Sequence, residues 1–324
     1  EPWSVAGNRR LDPAWEDAVI WANLLHLSYN MWMDREAPEV GHPHLCAQPY
    51  LRFDEKLWRD LLRAMADAGL NAVVIDVGDA VAYESHPEIA VEGAWPADKL
   101  RAELDAAREM GIEPVPKLNF STTHDIWLGP YSRRVSTPEY YDVCRDLIDE
   151  VVELFDRPRL FHLGMDEETA QHQARQLYAV MRQHDLWWHD LLFLVECVEK
   201  HGSRAWIWSD YLWHHHDEFL QRMPISVLQS NWYYGADFDP GIDYVKAYLD
   251  LEAHGYDQVP TGSNWSTPAN FEPTVEFCRR HIAPQRLIGF LQTTWRPTLE
   301  EFRATHLEAI SQVGRAIAAS GRDA

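Results

Sequence analysis

Basic residues are scarce in this chain: 29 Lys and Arg stand against 51 Asp and Glu, a formal net charge of −22. Phosphate-bearing partners need a basic surface, so the balance argues against nucleic acid and against an anionic membrane. It fits a neutral substrate such as a sugar, and it fits solubility alone. No apolar run reaches the roughly 18 residues of a membrane span. Cysteine is sparse, and Cys46, Cys144, Cys197 and Cys278 show no CxxC spacing. That excludes a zinc ribbon or a thioredoxin motif and leaves buried free thiols as the expectation. There is no Walker loop and no Gly-x-Ser-x-Gly elbow. Low-complexity tracts and repeats of 20–50 residues are absent too. The chain starts at Glu1 with neither Met nor an apolar leader, so secreted and cytoplasmic compartments stay equally open. Oligomeric state is equally unspecified.

Tryptophan, by contrast, is abundant at fifteen residues. Its large apolar ring with one donor suits stacking on sugar faces, and it also fills cores. The 324 residues suit one α/β barrel with inserted loops. Apolar, strand-like runs fall at 24–31, 71–77, 112–119, 159–165, 204–209, 225–232, 258–265 and 287–293. Helix-like stretches fall between them, at 54–69, 96–110, 138–156, 168–200, 241–254, 271–282 and 298–318, with a short piece at 215–222. Asp54 and Thr137 read as caps, Gly69 and Gly111 as stops. Strands alternating with helices in this way predict an α/β fold, a (β/α)8 TIM barrel, as a single domain over 1–324 with a short N-terminal extension. A doubly wound open sheet is the alternative, but no Gly-rich phosphate loop follows any strand.

Barrel chemistry sits at the C-terminal strand ends. Those ends carry Asn30, Trp32 and Arg35, then Asp76 and Asp79, then Lys117, Asn119 and His124. Asp166 and Glu167, Trp208 and Asp210, Asn231 and Trp232, Asn264 and Trp265, and Trp295 and Arg296 complete the ring. The sharpest of these is Phe161-His162-Leu163-Gly164-Met165-Asp166-Glu167-Glu168, an apolar strand running straight into carboxylates. Like charges this close repel, so at least one pKa is expected to rise. A carboxylic acid kept protonated can protonate a leaving group while its ionised neighbour stabilises positive charge, the division of labour that glycoside hydrolysis requires. Glu168 reads instead as an acid at a helix start, favoured by the helix dipole.

His162-Leu163-Gly164-Met165-Asp166-Glu167 resembles the His-x-Gly-Gly-Asp-Glu motif of family 20 glycoside hydrolases, the β-N-acetylhexosaminidases. The resemblance extends to Gly69 through Asp79, to Met110-Gly111-Ile112-Glu113-Pro114-Val115-Pro116, to Trp206-Ile207-Trp208-Ser209-Asp210, to Val227 through Trp232 and to Thr294-Trp295. It implies a retaining, exo-acting hydrolase of a terminal sugar that needs no cofactor and no metal. Glu167 would be the general acid/base, and Asp166 would orient the substrate's 2-acetamido group. Asp79 and His124 would form a relay that tunes Glu167. Trp208, Trp232 and Trp295 would wall the sugar pocket, with Asp210, Trp265, Asn119 and Arg35 as further substrate contacts. The sequence also departs from the pattern: Met165 replaces the second Gly, and Lys117 and Asn119 replace acidic residues. Trp265-Ser266 stands where the family has Trp-Tyr, and Arg296 where it has a sugar-binding Glu. Tyr233 or Tyr234 is a candidate for the missing Tyr.

Two other readings stay open on these residues. One is a carbohydrate-binding barrel that does not hydrolyse. The other is a metal-dependent isomerase or lyase built on Trp213-His214-His215-His216-Asp217, although adjacent histidines alternate direction and zinc sites usually use spaced ligands.

Overall fold

The computed structural model describes residues 18–36 and 38–321, so the expected N-terminal extension lies outside the described residues. Eight parallel strands form the predicted barrel: β1 (Ile20–His26), β2 (Ala72–Asp76), β3 (Glu113–Lys117), β4 (Leu160–His162), β5 (Arg204–Trp208), β6 (Leu228–Ser230), β7 (Thr261–Ser263) and β8 (Gly289–Thr293). The hydrogen-bonded order is β6-β5-β4-β3-β2-β1-β8-β7. Bridges Gln229↔Gln258 and Trp232↔Thr261 close the remaining seam between β6 and β7. Around the strands run α1 (Glu55–Ala68), α2 (Ala97–Glu109), α3 (Pro138–Leu154), α4 (Asp185–Glu199), α5 (Tyr211–His214), α6 (His216–Arg222), α7 (Asp243–Ala253), α8 (Phe271–His281) and α9 (Arg303–Ser320).

Strands of a parallel barrel are buried on both faces, which is why they read as continuous apolar runs. Alternation still divides the two faces. Ala22, Leu24, Val74, Val115, Trp206, Trp208 and Leu291 belong to the cluster inside the barrel. Leu25, Val73, Ile75, Phe161 and Ile207 pack in the larger cluster between strands and helices. The expected caps form: Asp54 accepts the Leu57 N–H at 2.9 Å, and Gly69 stops α1 at φ 86°. All four cysteines are buried free thiols. Among the described residues no helix is long and apolar enough to cross a membrane.

Several element boundaries differ from the sequence reading, and three of the differences bear on the site. β1 lies at Ile20–His26 rather than 24–31, because Tyr29 and Met31 are buried in the barrel mouth beyond the last strand pairing. The run at 159–165 keeps only Leu160–His162 as strand, since Gly164 and Met165 turn left-handed at φ 73° and 74°. The stretch 168–200 is no single helix: α4 starts at Asp185, and 168–184 is an irregular loop over the C-terminal end of the barrel.

Candidate active site

The turn after β4 is the most constrained backbone in the barrel mouth. Met165 and Glu167 are non-glycine residues at φ 74° and 54°, a conformation that costs on the order of 1–3 kcal/mol at each and persists only where neighbours enforce it. Three neighbouring side chains enforce it. Ser121 Oγ donates to the Asp166 carbonyl, and Thr123 Oγ1 to the Glu167 carbonyl at 2.7 Å. Asp210 Oδ2 accepts the Glu167 N–H at 2.8 Å. Gly164 lets the loop after β3 approach: a Cβ there would stand 1.9 Å from Asn119 Oδ1.

This backbone sets two adjacent carboxylates in different surroundings. Asp166 is buried and accepts Asn119 Nδ2 at 2.9 Å. His124 Nε2 lies 3.3 Å from Asp166 Oδ2 and 3.4 Å from Glu167 Oε2. Glu167 is only half-buried and opens on a cleft of about 830 Å3. His172, from the loop after β4, brings Nε2 to 3.4 Å from its other oxygen. Burial alone would raise the Asp166 pKa, but the charge and hydrogen bond of His124, with Lys117 and Asn119, outweigh it and hold the acid well below the usual carboxylate range. His124 answers in the opposite sense. Burial works against its charge, yet Asp166 and Glu167 push it up to about 10.

A raised histidine pKa stabilises the fold fully below the unfolded value of about 6.5, and the contribution is lost as pH rises through the folded value. We therefore expect the His124 ring, followed by NMR, to stay protonated through neutrality and titrate near 10. Asp166→Asn should lower that midpoint by more than one unit; an unmoved midpoint would mean that Asp166 is not the partner.

Beside Glu167, the carboxyl that rises is Asp210. Burial comes first, then the Asp166 charge, and its Oδ1 is buried without a hydrogen-bond partner among the described residues. Its ionised form is disfavoured in the fold, so the stability it contributes is present at acid pH and lost as pH rises through the folded value. Asp210→Asn should therefore stabilise the fold more at pH 8 than at pH 4, the difference growing by up to about 1.4 kcal/mol per pH unit. Thermal unfolding at a series of pH values tests this, and a gain that shrinks with pH would contradict it.

The remaining expected residues divide. Trp232 and Trp265 line the cleft with Glu167 and Asp210. Trp208 and Trp295 lie beneath the mouth, 5.8 Å apart between ring centroids, and Trp295 Nε1 donates to Tyr234 OH at 3.1 Å. Tyr233 and Tyr234 both line the cleft, and burial with the Glu167 and Asp166 charges raises the Tyr234 pKa. The expected relay from Asp79 to His124 is not formed among the described residues. Asp79 is buried against Ser28 Oγ at 2.5 Å and Asn30 Nδ2 at 2.8 Å, with burial pushing its pKa up to about 6. Trp32 instead stands edge-on to His124 at 4.7 Å. Arg35 lies in the loop after β1 with its guanidinium 3.5 Å from the Glu36 carbonyl, away from the cleft.

Glu168 heads no helix; it is ion-paired to Arg182 at 2.6 Å. His216 faces Asp217 and Asp250 at 3.0 and 3.2 Å, and His215 faces Glu218 at 3.9 Å, so these histidines do not converge. The tight group among the described residues is His124, Asp166 and Glu167, whose polar atoms lie within 4.8 Å of one another. There the imidazolium supplies the cation between two carboxylates. His172 and Trp32 were not assigned roles from sequence: His172 lay inside an expected helix, and Trp32 was one more strand-end aromatic.

Comparison with family models finds no match, and comparison with curated proteins finds none. Solved structures do match in fold. The Flavobacterium johnsoniae chitobiase superposes with a TM-score of 0.63 at 17% identity, over 82% of this chain and 46% of that one. A family 20 β-N-acetylhexosaminidase from Streptomyces coelicolor gives 0.61 at 15% identity, over 93% and 64%. Dispersin B gives 0.58 at 13% identity, over 91% and 98%. The chain thus spans about half the length of the Flavobacterium enzyme. At such identities the likeness establishes the barrel.

Proposed function

We propose that this chain is a glycoside hydrolase that removes a terminal sugar, with Glu167 as general acid/base and Asp166 as its ionised partner. The observation that carries the reading is the contrast between neighbours: Asp166 is buried and held charged by His124 and Asn119, whereas Glu167 opens on the cleft. Two carboxyl groups in unequal environments are what acid catalysis beside an oxocarbenium-like centre needs. A retaining course belongs to the same reading, and the anomeric configuration of the first product, followed by NMR, tests it. In this reading Asp166 stabilises the substrate's acetamido group or the transition state directly. An exo-acting mode is supported by the closed side of the mouth, where Tyr29, Asn30 and Asp79 are buried and the open lining comes from the loops after β4 to β7. The solved structures of like fold include a chitobiase and a β-N-acetylhexosaminidase, which makes β-N-acetylhexosaminides the first substrates to try.

The test is hydrolysis of a panel of aryl glycosides, comprising N-acetylglucosaminide, N-acetylgalactosaminide, galactoside, glucoside and arabinoside, by wild type and Glu167→Gln. Turnover of N-acetyl sugars, lost in the variant, is the expected result. Turnover confined to sugars without an acetamido group would keep Glu167 as acid and remove the acetamido role from Asp166. Sugar binding with no turnover would overturn the hydrolase reading.

A further inference from the structure

Beneath the carboxylates the barrel holds a row of ionisable side chains that the hydrolase reading leaves without a task. The register of the first four strands pairs His26 with Asp76, Asp76 with Lys117, and Lys117 with His162. Two residues earlier on each strand, Leu24, Val74, Val115 and Leu160 belong to the apolar cluster inside the barrel. Residues two apart on a strand share a face, so the four polar side chains form one row across the interior. All are buried, Lys117 at 0% exposure. Its ammonium is ion-paired to Asp76. The imidazoles do not share that charge. Burial first and the Lys117 charge second push the pKa of both His26 and His162 well below the ordinary value. Lys117 is thus the one cation of the row.

Asp166 belongs to the layer above. Leu118 and Phe120 pack outside the strands, so Lys117 and Asn119 face inward together. Asn119, one step above Lys117, donates to Asp166 at 2.9 Å. Asp76 sits on β2, one strand farther from β4 than Lys117 is. The other ionisable groups around Asp166 are His124, Glu167, Asp210 and Tyr234, and only His124 can carry positive charge. That charge is divided, since His124 lies 3.3 Å from Asp166 and 3.4 Å from Glu167. Against burial, His124 comes first and Lys117 next in holding the Asp166 pKa down. A buried opposite charge is little screened, and a neighbouring one shifts a carboxyl by roughly one to three units.

We propose that Lys117 is a positioning residue: from the layer beneath, its ammonium keeps Asp166 anionic while positive charge develops on the substrate, and it never touches the sugar. Its part in catalysis rests on the hydrolase reading; its hold on Asp166 does not. The Asp166 carboxyl is followed by NMR of its labelled carbon in a His124→Gln background, where loss of the stronger support should bring its midpoint up into reach. Adding Lys117→Gln should lower the Asp166 acid dissociation constant about tenfold or more. Adding Asp76→Asn instead, which breaks the same pair but leaves the ammonium, should not lower it. If Lys117→Gln unfolds the protein, Asp76→Asn combined with Lys117→Gln takes its place, with neither charge of the pair left alone, and the constant should still fall about threefold or more. With His124 intact, on a glycoside that wild type cleaves, Lys117→Gln should lower kcat about tenfold and change KM by less than threefold, because the charge is needed at the transition state. An unmoved constant, an equal fall in Asp76→Asn, or an unchanged kcat overturns the proposal. The expected fall in a protein that cleaves no glycoside would sink the hydrolase reading and leave the hold on Asp166. Cleavage with an unmoved constant would do the reverse.

Discussion

If Glu167 is the general acid proposed above, Glu167→Gln should lower kcat on glycosides with poor leaving groups by about two to four orders of magnitude, the usual worth of a positioned general acid. The amide keeps the size of the carboxyl but cannot deliver a proton to the departing oxygen. The loss should therefore depend on the leaving group. A dinitrophenyl glycoside, whose phenolate departs without protonation, should lose far less in its glycosylation step than an alkyl glycoside or a disaccharide. Stability should barely change, because Glu167 is half-exposed and the Glu167 N–H still meets Asp210. His124 adds a second readout. Its charge is held up by Asp166 first and Glu167 after it, so the ring should titrate lower in Glu167→Gln, but by less than in Asp166→Asn. Equal losses across all leaving groups would point to displaced substrate rather than a missing proton donor.

The barrel was legible because its strands are buried on both faces and its helices carry local stops and caps, such as Asp54 and Gly69 around α1. The carboxylate pair was legible for a related reason: the apolar run of β4 leads straight to Asp166 and Glu167, which places both carboxyls at the C-terminal end of the barrel. What was hidden depended on packing between loops. Apolar content marks burial rather than strand, so the β1 run was read too far along the chain, and Tyr29 and Met31 proved to be mouth packing. Residues 168–184 place Ala170, Ala174, Leu177 and Met181 at helical spacing, but Leu177 is 63% exposed and the segment is pinned by side chains instead. The Asp79 relay was carried over by position alone. Its failure follows from Ser28 and Asn30, which claim the carboxylate, and from Trp32 beside His124. The raised pKa of Asp210 was equally invisible, because it arises from burial first and then from the Asp166 charge, 44 residues away in sequence.

The loop that delivers His172 to Glu167 depends on one arginine, and its removal should be the most destabilising single change in the site. Arg182 is buried; its Nη2 donates to the Phe120 carbonyl at 2.7 Å and to Glu168 at 2.6 Å, and its Nε to Glu168 at 2.9 Å. Its Nη1 reaches Asp190 at 3.4 Å, a carboxylate that also accepts Ser136 Oγ and Tyr141 OH at 2.6 Å each. Burial opposes the guanidinium charge, but Glu168 and the other neighbours overcome it and raise its pKa well above normal. Arg182→Ala leaves Glu168 and Asp190 as buried, uncompensated charges, which should cost about 3–5 kcal/mol in chemical denaturation. The freed 168–184 loop should become the first site of proteolytic cleavage, and turnover should fall with it. Arg182→Lys should recover only part of the stability, since an ammonium cannot span Glu168 and Phe120 as the planar fork does. The pH dependence separates charge from packing. As pH falls through the carboxylate range the orphaned acids take up protons and tolerate burial, so the deficit of Arg182→Ala should shrink. A deficit equally large at pH 4 and pH 7 would mean that the arginine holds the loop by filling space, and that the ion pairs around it are incidental.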